Sequence, residues 1–524
     1  MLEMARVTDR KKLLSSETGL RPDKGGRVAM ALCYPNTYET GMSNLGFLTI
    51  YRLANQMPGM RCERAFWDVQ TGKTLETGRR IGRFDIMGVS ASYELDYPRV
   101  VGMIGESGIP LLREERKDSD PVVIAGGPAV SLNPKPLSPF VDIFFLGEAE
   151  ESFADFADVL KDVGYARKHG WRREVLERTA SVSGIYVPAV TQQAKRRWIA
   201  RLENHDTCSP IITPNSHFKN MYLLEAERGC PRGCRFCAAT YLYRPFRVRS
   251  AASIMDMVRE LEPRFSRVGL VGAGLSDHPD LERMCMAFAK LGKQVGVSSL
   301  RPDSLTPNLI STLTEAGLKT LTMAPEAGSA RMRNVVGKPM SEDSILESAR
   351  LCGRSGLSGL RLYFMIGLPF ETESDVDAIS QLVGRLSAEF KRKVTVRLSP
   401  FVPKADTPFQ WEPFADPKAL KKRSEAVRKE LARRRNVKVE SQSPREAEAE
   451  AVFSRGDENV GSALEYWYKN RNWKRAFRSA GVVVEDLLYR ELSRKDHLPW
   501  DFIDTSFPKS LLKAELNRAK KAAM

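Results

Sequence analysis

The 524-residue chain is 42% hydrophobic and 28% charged, with a formal net charge of +16 and a pI near 9.4. That composition excludes a disordered or fibrous chain, and single cores rarely exceed about 250–300 residues, so two or three domains are expected. No apolar run approaches the roughly 18 residues of a membrane span, and MLEMARVTDRKKLL lacks the apolar core of a secretory signal, so a cytoplasmic chain is expected.

Four apolar runs mark strands in the first part: Val28–Cys33, Asp85–Ser90, Pro121–Ala125 and Val141–Leu146. Helical spacing lies between most of them, as around Ile50–Asn55. This alternation predicts an α/β, doubly wound parallel sheet over residues 1–165, with ligands bound beyond the carboxyl ends of the strands. Residues 166–215 lack a strong period and contain Lys195-Arg196-Arg197; they predict a connector with at most a short hairpin. The alternation then resumes. Met221–Ala226 leads into a cysteine-bearing loop, the helix Ser253–Leu261 follows, and Val268–Val271, Gln294–Ser299, Thr320–Ala324, Leu360–Ile366 and Val394–Leu398 continue as strands. These predict a partial (β/α)6 barrel over 216–416, whose chemistry sits at the C-terminal strand ends. Residues 417–524 predict a small, mostly helical, basic C-terminal domain punctuated by Pro499 and Pro508.

About half of the net charge lies in that last part, in stretches such as Lys421-Lys422-Arg423 and Arg433-Arg434-Arg435. Such a run forms either a solvated helix face or a surface that attracts polyanions such as RNA. Trp411, Trp467, Trp473 and Trp500 either stack on bases or build a core, and the core is the expected role.

Of eight cysteines, Cys33, Cys62, Cys208, Cys285 and Cys352 stand singly and are expected as buried thiols. The other three lie in Arg228-Gly229-Cys230-Pro231-Arg232-Gly233-Cys234-Arg235-Phe236-Cys237, a C-x3-C-x2-C loop after a strand. Thiolates this close can converge on one face of a metal centre. Closed zinc sites take four ligands, and no fourth Cys or His stands near; Cys208 and His217 lie upstream without zinc-knuckle spacing. A cubane held by three cysteines leaves one iron open to another ligand, so the loop favours iron–sulfur over zinc.

The three-cysteine spacing, with Phe236 before the last Cys, resembles the radical S-adenosylmethionine (SAM) superfamily. The resemblance implies a 4Fe–4S cluster on Cys230, Cys234 and Cys237 whose open iron chelates the amino and carboxylate groups of SAM. One electron then cleaves the C5′–S bond, and the 5′-deoxyadenosyl radical abstracts hydrogen from a substrate. A flavodoxin or ferredoxin is implied as electron donor. Further positions match in order. Gly272-Ala273-Gly274 corresponds to the Gly-rich motif facing the SAM amino group. Ser298, Ser299 and Arg301 stand where polar side chains meet the SAM carboxylate or ribose, and Glu326 would take the ribose or amino group. Ile366, Gly367 and Leu368, within Tyr363–Pro369, match the strand whose backbone reads adenine.

The stretches Tyr34–Gly46, Ala125–Ala129, Gly147–Glu150 and Ser454–Asp457 extend the likeness over nearly the whole chain, to a largely uncharacterised group with a cobalamin-binding-type domain. The likeness implies a corrin over the strand ends near Ser90, Ser92, Gly126 and Gly127. No Asp-x-His-x-x-Gly is present, and the first histidine is His169, so residues 1–165 offer cobalt no lower histidine. His205, His217, His278 and His497 stand alone and are expected in packing or surface roles, His278 nearest the site. Tyr241 and Tyr243 either wall the pocket or pack as aromatics. The implied activity is cobalamin-dependent methylation of an unreactive carbon. Two others stay open. One is cobalamin-independent modification of RNA or protein, such as methylthiolation, which needs a second cluster. The other is nucleic-acid binding by a protein with a structural cluster.

Overall fold

The computed structural model describes residues 9–22, 25–165, 169–260, 264–493 and 496–524. The chain divides into two compact units. The first runs to Met221 and takes in Val452–Leu487 and His497–Phe507; the second comprises Tyr222–Ala451, Leu488–Asp496 and Pro508–Met524.

The first unit is built on a six-stranded sheet. Its strands are β1 (Val28–Tyr34), β2 (Met60–Phe66), β3 (Ile86–Ser90), β4 (Val122–Gly126), β5 (Ile143–Phe145) and β6 (Ile185–Tyr186), in the order β2-β1-β3-β4-β5-β6. All pairs are parallel except the edge pair β5–β6. The runs VAMALCY and VVIA are nearly all buried, as parallel strands covered on both faces require. Helices α1 (Leu45–Gln56), α2 (Tyr97–Glu106) and α3 (Ala149–Val163) cover the sheet, and Asn44 caps α1 by accepting the Phe47 N–H. β1 connects to β2 on one side and the chain then returns to β3 on the other, so the order reverses between β1 and β3. In such sheets that reversal opens the ligand crevice.

Residues 166–215 do more than connect. The described part supplies the helix Trp171–Thr179 and edge strand β6, both packed into the first unit. The C-terminal stretch is mostly helical, as predicted, but is shared between the two units. In the first, Glu458–Asn470 and Trp473–Ser479 form a hairpin whose Trp467 and Trp473 stack 4.9 Å apart, with Phe453 and Phe477 each 5.4 Å from Trp473. Trp411 and Trp500 are fully buried, so these tryptophans serve packing. The Ser454–Asp457 motif has a structural reason. The buried Asn133 amide donates to the carbonyls of Ser454 (3.1 Å) and Gly456 (2.7 Å). Replacing Asn133 with Ala removes both of these hydrogen bonds, and urea unfolding should register a loss of about 2–3 kcal/mol.

The second unit carries β7 (Met221–Glu225), β8 (Arg267–Val271) and β9 (Gln294–Val297) in one sheet. A four-stranded sheet follows, in the order β10 (Thr320–Glu326), β11 (Gly359–Ile366), β12 (Lys393–Pro400) and β13 (Val437–Ser441). A parallel bridge between Leu300 and Met323 links the two sheets. Helices α4 (Ala251–Glu260), α5 (Leu281–Lys290), α6 (Pro307–Glu315), α7 (Glu342–Arg354), α8 (Glu373–Phe390) and α9 (Pro417–Leu431) alternate with the strands, and α10 (Lys509–Ala523) closes the unit. The predicted helix end at Leu261 lies outside the described residues. The array is the expected open barrel, extended past residue 416 by α9 and a seventh strand, β13, parallel to β12. Along β10 and β11 every second residue is buried, so one face packs under helices and the other lines the interior. Among the described residues, no helix is long and apolar enough to cross a membrane.

Candidate active site

The cysteine loop leaves the short strand Glu227–Arg228, which pairs antiparallel with Arg247–Val248, and enters the helix Ala238–Leu242. Gly229 has φ +87°, and a Cβ there would lie 2.3 Å from the Tyr243 carbonyl oxygen, so the turn needs glycine. Two further glycine turns brace the loop. Gly274 packs 3.4 Å from Cys230 Sγ, counted from the position of an added Cβ, and Gly337 (φ +71°) approaches the Gly233 carbonyl at 2.8 Å on the same measure.

Arg235, between Cys234 and Cys237, anchors the loop. Its backbone N–H donates to the Val336 carbonyl (2.9 Å), and its guanidinium donates to the carbonyls of Asn334 (2.7 Å) and Val335 (2.8 Å) and to Glu515 of α10 (3.1 Å). Burial pushes the Cys234 thiol up to about 12, against the opposing charge of Lys338, and raises Cys230 as well. Among the described residues, no three or more His, Cys, Asp or Glu side chains already converge on a metal position. The other five cysteines are buried, as expected, Cys33 and Cys62 on the paired strands β1 and β2, Cys285 in α5, Cys352 in α7 and Cys208 held 2.9 Å from Arg52.

Gly272-Ala273-Gly274 follows β8 and encloses a residue that the motifs did not point to. Glu227 is 1% exposed, and its Oε1 accepts the Gly274 N–H at 2.7 Å. A Cβ on Gly272 would sit 2.0 Å from that same oxygen. The other oxygen, Oε2, is buried and has no hydrogen-bond partner. Burial, opposed by the Gly274 N–H, pushes the carboxyl up to about 8.

Such a group releases its proton more readily once unfolded. Stability should therefore fall as pH rises from about 4.5 to about 8 and level off above. In metal-free protein, Glu227→Gln should open a Tm advantage over the parent that widens across this window. An advantage constant with pH would contradict this.

Ser298 donates to the Gly272 carbonyl at 2.8 Å, tying the end of β9 to the same turn, whereas Ser299 is exposed. The Arg301 N–H donates to Ser276 Oγ (2.8 Å), and its guanidinium grips Asp303 at 2.9 and 2.7 Å. Glu326 ends β10 beyond an irregularity at Pro325 and has φ +68°, a strained backbone for a non-glycine residue. Its carboxylate pairs with Lys338 at 2.9 Å. Burial works against the charge of Lys338, but Glu326 and Cys234 outweigh it and hold the lysine above its usual range. Lys338 is thus a half-buried cation beside the cysteine loop that the sequence did not single out.

The Ile366 carbonyl accepts the Phe401 N–H at 2.9 Å, and Gly367 (φ +76°) donates to Glu371 at 2.7 Å. Burial, opposed by the Gly367 N–H and Arg423, raises that carboxyl to about 7. Ile366, Gly367 and Leu368 are all buried. His278, also buried, accepts the Asp280 N–H at Nδ1 and meets the Arg249 carbonyl at Nε2 (3.0 Å), a packing role. Tyr241 is buried under Arg244, whose guanidinium carbon lies 5.3 Å from the ring centroid.

In the first unit, Ser90, Ser92, Gly126 and Gly127 gather at neighbouring strand ends, with Ser90 in register with Gly126. Gly127 has φ +116°, and a Cβ there would lie 2.6 Å from the Ala91 carbonyl. A polar set that the sequence did not reveal spans the β1–β3 crevice. Asn44 donates to Ser92 (3.1 Å) and Asn36 to Asp96 (2.8 Å), whose carboxyl burial raises to about 6. An imidazole also reaches this unit from later in the chain. His217 packs on the segment after β1, 3.3 Å from Glu39 and 3.4 Å from Thr40.

This loop, braced at the strand ends of an open barrel, defines a class, and family comparison gives the same one. Residues 225–383 match the radical SAM superfamily and residues 46–188 the N-terminal region of radical SAM proteins. The chain belongs to the radical SAM superfamily. Within it, the chain is 31% identical over 447 residues to an uncharacterised protein of Methanocaldococcus jannaschii, covering 83% of this chain and 90% of that one. It is 22% identical over 282 residues to an uncharacterised methyltransferase of Pyrococcus horikoshii, covering 51% and 59%. The fold resembles TsrM of Kitasatospora setae, a radical SAM methyltransferase solved with cobalamin and a 4Fe–4S cluster. The TM-score is 0.50, the identity 14%, and the coverage 71% of this chain and 72% of that one.

Proposed function

We propose that this chain methylates an unreactive carbon, using a 4Fe–4S cluster, SAM and cobalamin. The observation that carries the reading is the braced three-thiol loop at the strand ends. The donor set fits an iron–sulfur cluster: Cys230, Cys234 and Cys237 supply three soft ligands, and no fourth Cys or His shares their loop. The small residues that end β3 (Ser90) and β4 (Gly126, followed by Gly127) leave room for a broad, flat ligand to approach the backbone.

Bound there, the cluster and SAM supply a hydrogen-abstracting radical and cobalamin a transferable methyl group. The chain's own residues do the positioning. Arg235 fixes the loop, and Gly274 and Gly337 let backbone pack against it. Ser298 and Glu227 fix the Gly272–Gly274 turn, and Glu326 and Lys338 place a half-buried ion pair beside Cys234. Ser90, Ser92, Gly126 and Gly127 would face the corrin. Cys285 and Cys352 lie in the second unit and Cys208 is bound by Arg52, which leaves the first unit without three free thiols for the second cluster that methylthiolation needs and favours the reading above. Reduced thiols suit the cytoplasm, where a flavodoxin or ferredoxin would deliver the electron.

Anaerobic reconstitution with iron, sulfide and hydroxocobalamin, followed by reductant and SAM, tests the reading. It predicts a bound corrin spectrum and 5′-deoxyadenosine. Deoxyadenosine without corrin would remove the methylation step, and zinc in the cysteine loop would remove the whole proposal.

A further inference from the structure

Residues 417–438 carry ten Lys and Arg against two Glu, a net of +8, half of the +16 on the whole chain. They form α9, the turn after it and the start of β13, all within the second unit. α9 buries Leu420, Val427 and Leu431 against the barrel. Arg423 turns inward to Glu371 (3.0 Å) and Glu373 (3.1 Å). The other basic side chains lie at the surface, although Lys438 pairs with Glu440 (2.7 Å) and the Arg434 guanidinium rests on Gly384 of α8. Lys418, Lys421, Lys422, Lys429, Arg434 and Arg435 are all exposed. Glu425 and Glu430 offer only loose pairings, at 3.8 Å to Lys421 and 3.4 Å to Arg433.

This face is built against the helix's own stability. Lys418 and Lys422 stand at i,i+4 and repel, at a cost of about 0.2–0.5 kcal/mol. Lys418 also lies in the first turn, where cations oppose the helix dipole and acids are favoured; the only offset is Asp416, which caps the Lys418 and Ala419 N–H groups. A merely solvated face gains from acids in its first turn, as α3 has in Glu150 and Glu151, whereas α9 has none there. Arg428 and Lys429 in the last turn suit the helix dipole, but Lys418, Lys421 and Lys422 in the first turns gain nothing from it.

The apolar residues of α9 are already buried, and residues 417–438 expose no large hydrophobic side chain. That leaves nothing to insert into a bilayer, which an interfacial helix requires, and no aromatic on which a base could stack. The patch offers only cations for phosphates. Its place is also informative. A Cβ on Gly367, at the C-terminal end of β11, would lie 2.6 Å from Leu420 of α9, so the basic helix abuts a barrel strand end.

We propose that α9 and the turn after it form a docking surface for the phosphodiester backbone of a nucleic acid. Such contacts position a strand without reading its sequence. The surface therefore does not distinguish RNA from DNA. It goes beyond the chemistry proposed above and does not depend on it.

Fluorescence anisotropy tests this with the reconstituted full-length chain and labelled 20-nucleotide RNA and DNA of one sequence, from 50 to 200 mM KCl. Each engaged cation should add about 0.7 to the slope of log Kd against log salt, so five or six give a slope near 4. The variant K418Q/K422Q/K429Q/R434Q/R435Q should bind at least tenfold more weakly at 100 mM KCl and lose about 3.5 from the slope. Its Tm should stay level or rise, because like-charge repulsion is removed. Unchanged affinity or slope in the variant would overturn the proposal. So would a tenfold preference for RNA over DNA, or tighter binding to vesicles containing phosphatidylserine than to RNA.

Discussion

Cys234→Ala protein, purified and reconstituted without oxygen, will fail to hold its iron–sulfur chromophore. It will lose 5′-deoxyadenosine production by about three orders of magnitude or more, because the ligands act as a unit. Cys234 carries the largest burden of the three. It is 8% exposed, and burial raises its thiol to about 12, so the metal-free loop holds it protonated. Loading must remove that proton, and metal sites of this kind release protons as they fill. Lys338, whose charge opposes the upward push, makes the thiolate easier to reach. Lys338→Met should therefore need a higher pH for half-loading than the parent, whereas Cys234→Ala should not load at any pH. Iron content by chelation assay and the absorbance near 400 nm report both outcomes. Intact deoxyadenosine production in Cys234→Ala would refute the loop as the cluster site.

The second large effect concerns Gly272. Its alanine variant should lose about 2–3 kcal/mol in urea unfolding, within the range for overpacking a filled interior. The cause is the Glu227 carboxyl, whose Oε1 occupies the space 2.0 Å from the new methyl. The carboxyl cannot retreat easily, because it also accepts the Gly274 N–H. Removing both groups should relieve the clash. Glu227→Ala/Gly272→Ala should recover most of the stability lost in Gly272→Ala, giving a coupling energy of about 1–2 kcal/mol in the double-mutant cycle. Additive effects would show that the two residues do not meet.

The local features of this chain were legible from its residues. The C-x3-C-x2-C loop, the glycine turn after β8 and the apolar runs of β1, β3, β4 and β5 each declare themselves within ten residues. What escaped was made by distant pairing. Glu227 ends an apolar run and looks like the polar edge of a strand until β8 brings Gly272 against it. Lys338 sits in an ordinary turn and matters because Cys234 and Glu326 fold beside it. β13 reads Val-Lys-Val-Glu-Ser, too short and too charged to stand out from the basic residues before it. β6 is two residues long, and only its pairing with β5 marks it as a strand. Asn36 and Asp96 are 60 residues apart and meet only because the strand order reverses between β1 and β3. Periodicity reports which face of an element is buried, and carries no information about which element covers it.

Arg235 and Glu515 are 280 residues apart. During synthesis the three sulfurs therefore emerge from the ribosome long before α10 exists to secure the loop that bears them. The last of the contacts that hold Arg235 is therefore made only by the nearly finished polypeptide. A chain ending before Glu515 would keep the contacts of Arg235 to Asn334, Val335 and Val336 and lack only this one, so early contacts shape the loop and the last helix locks it.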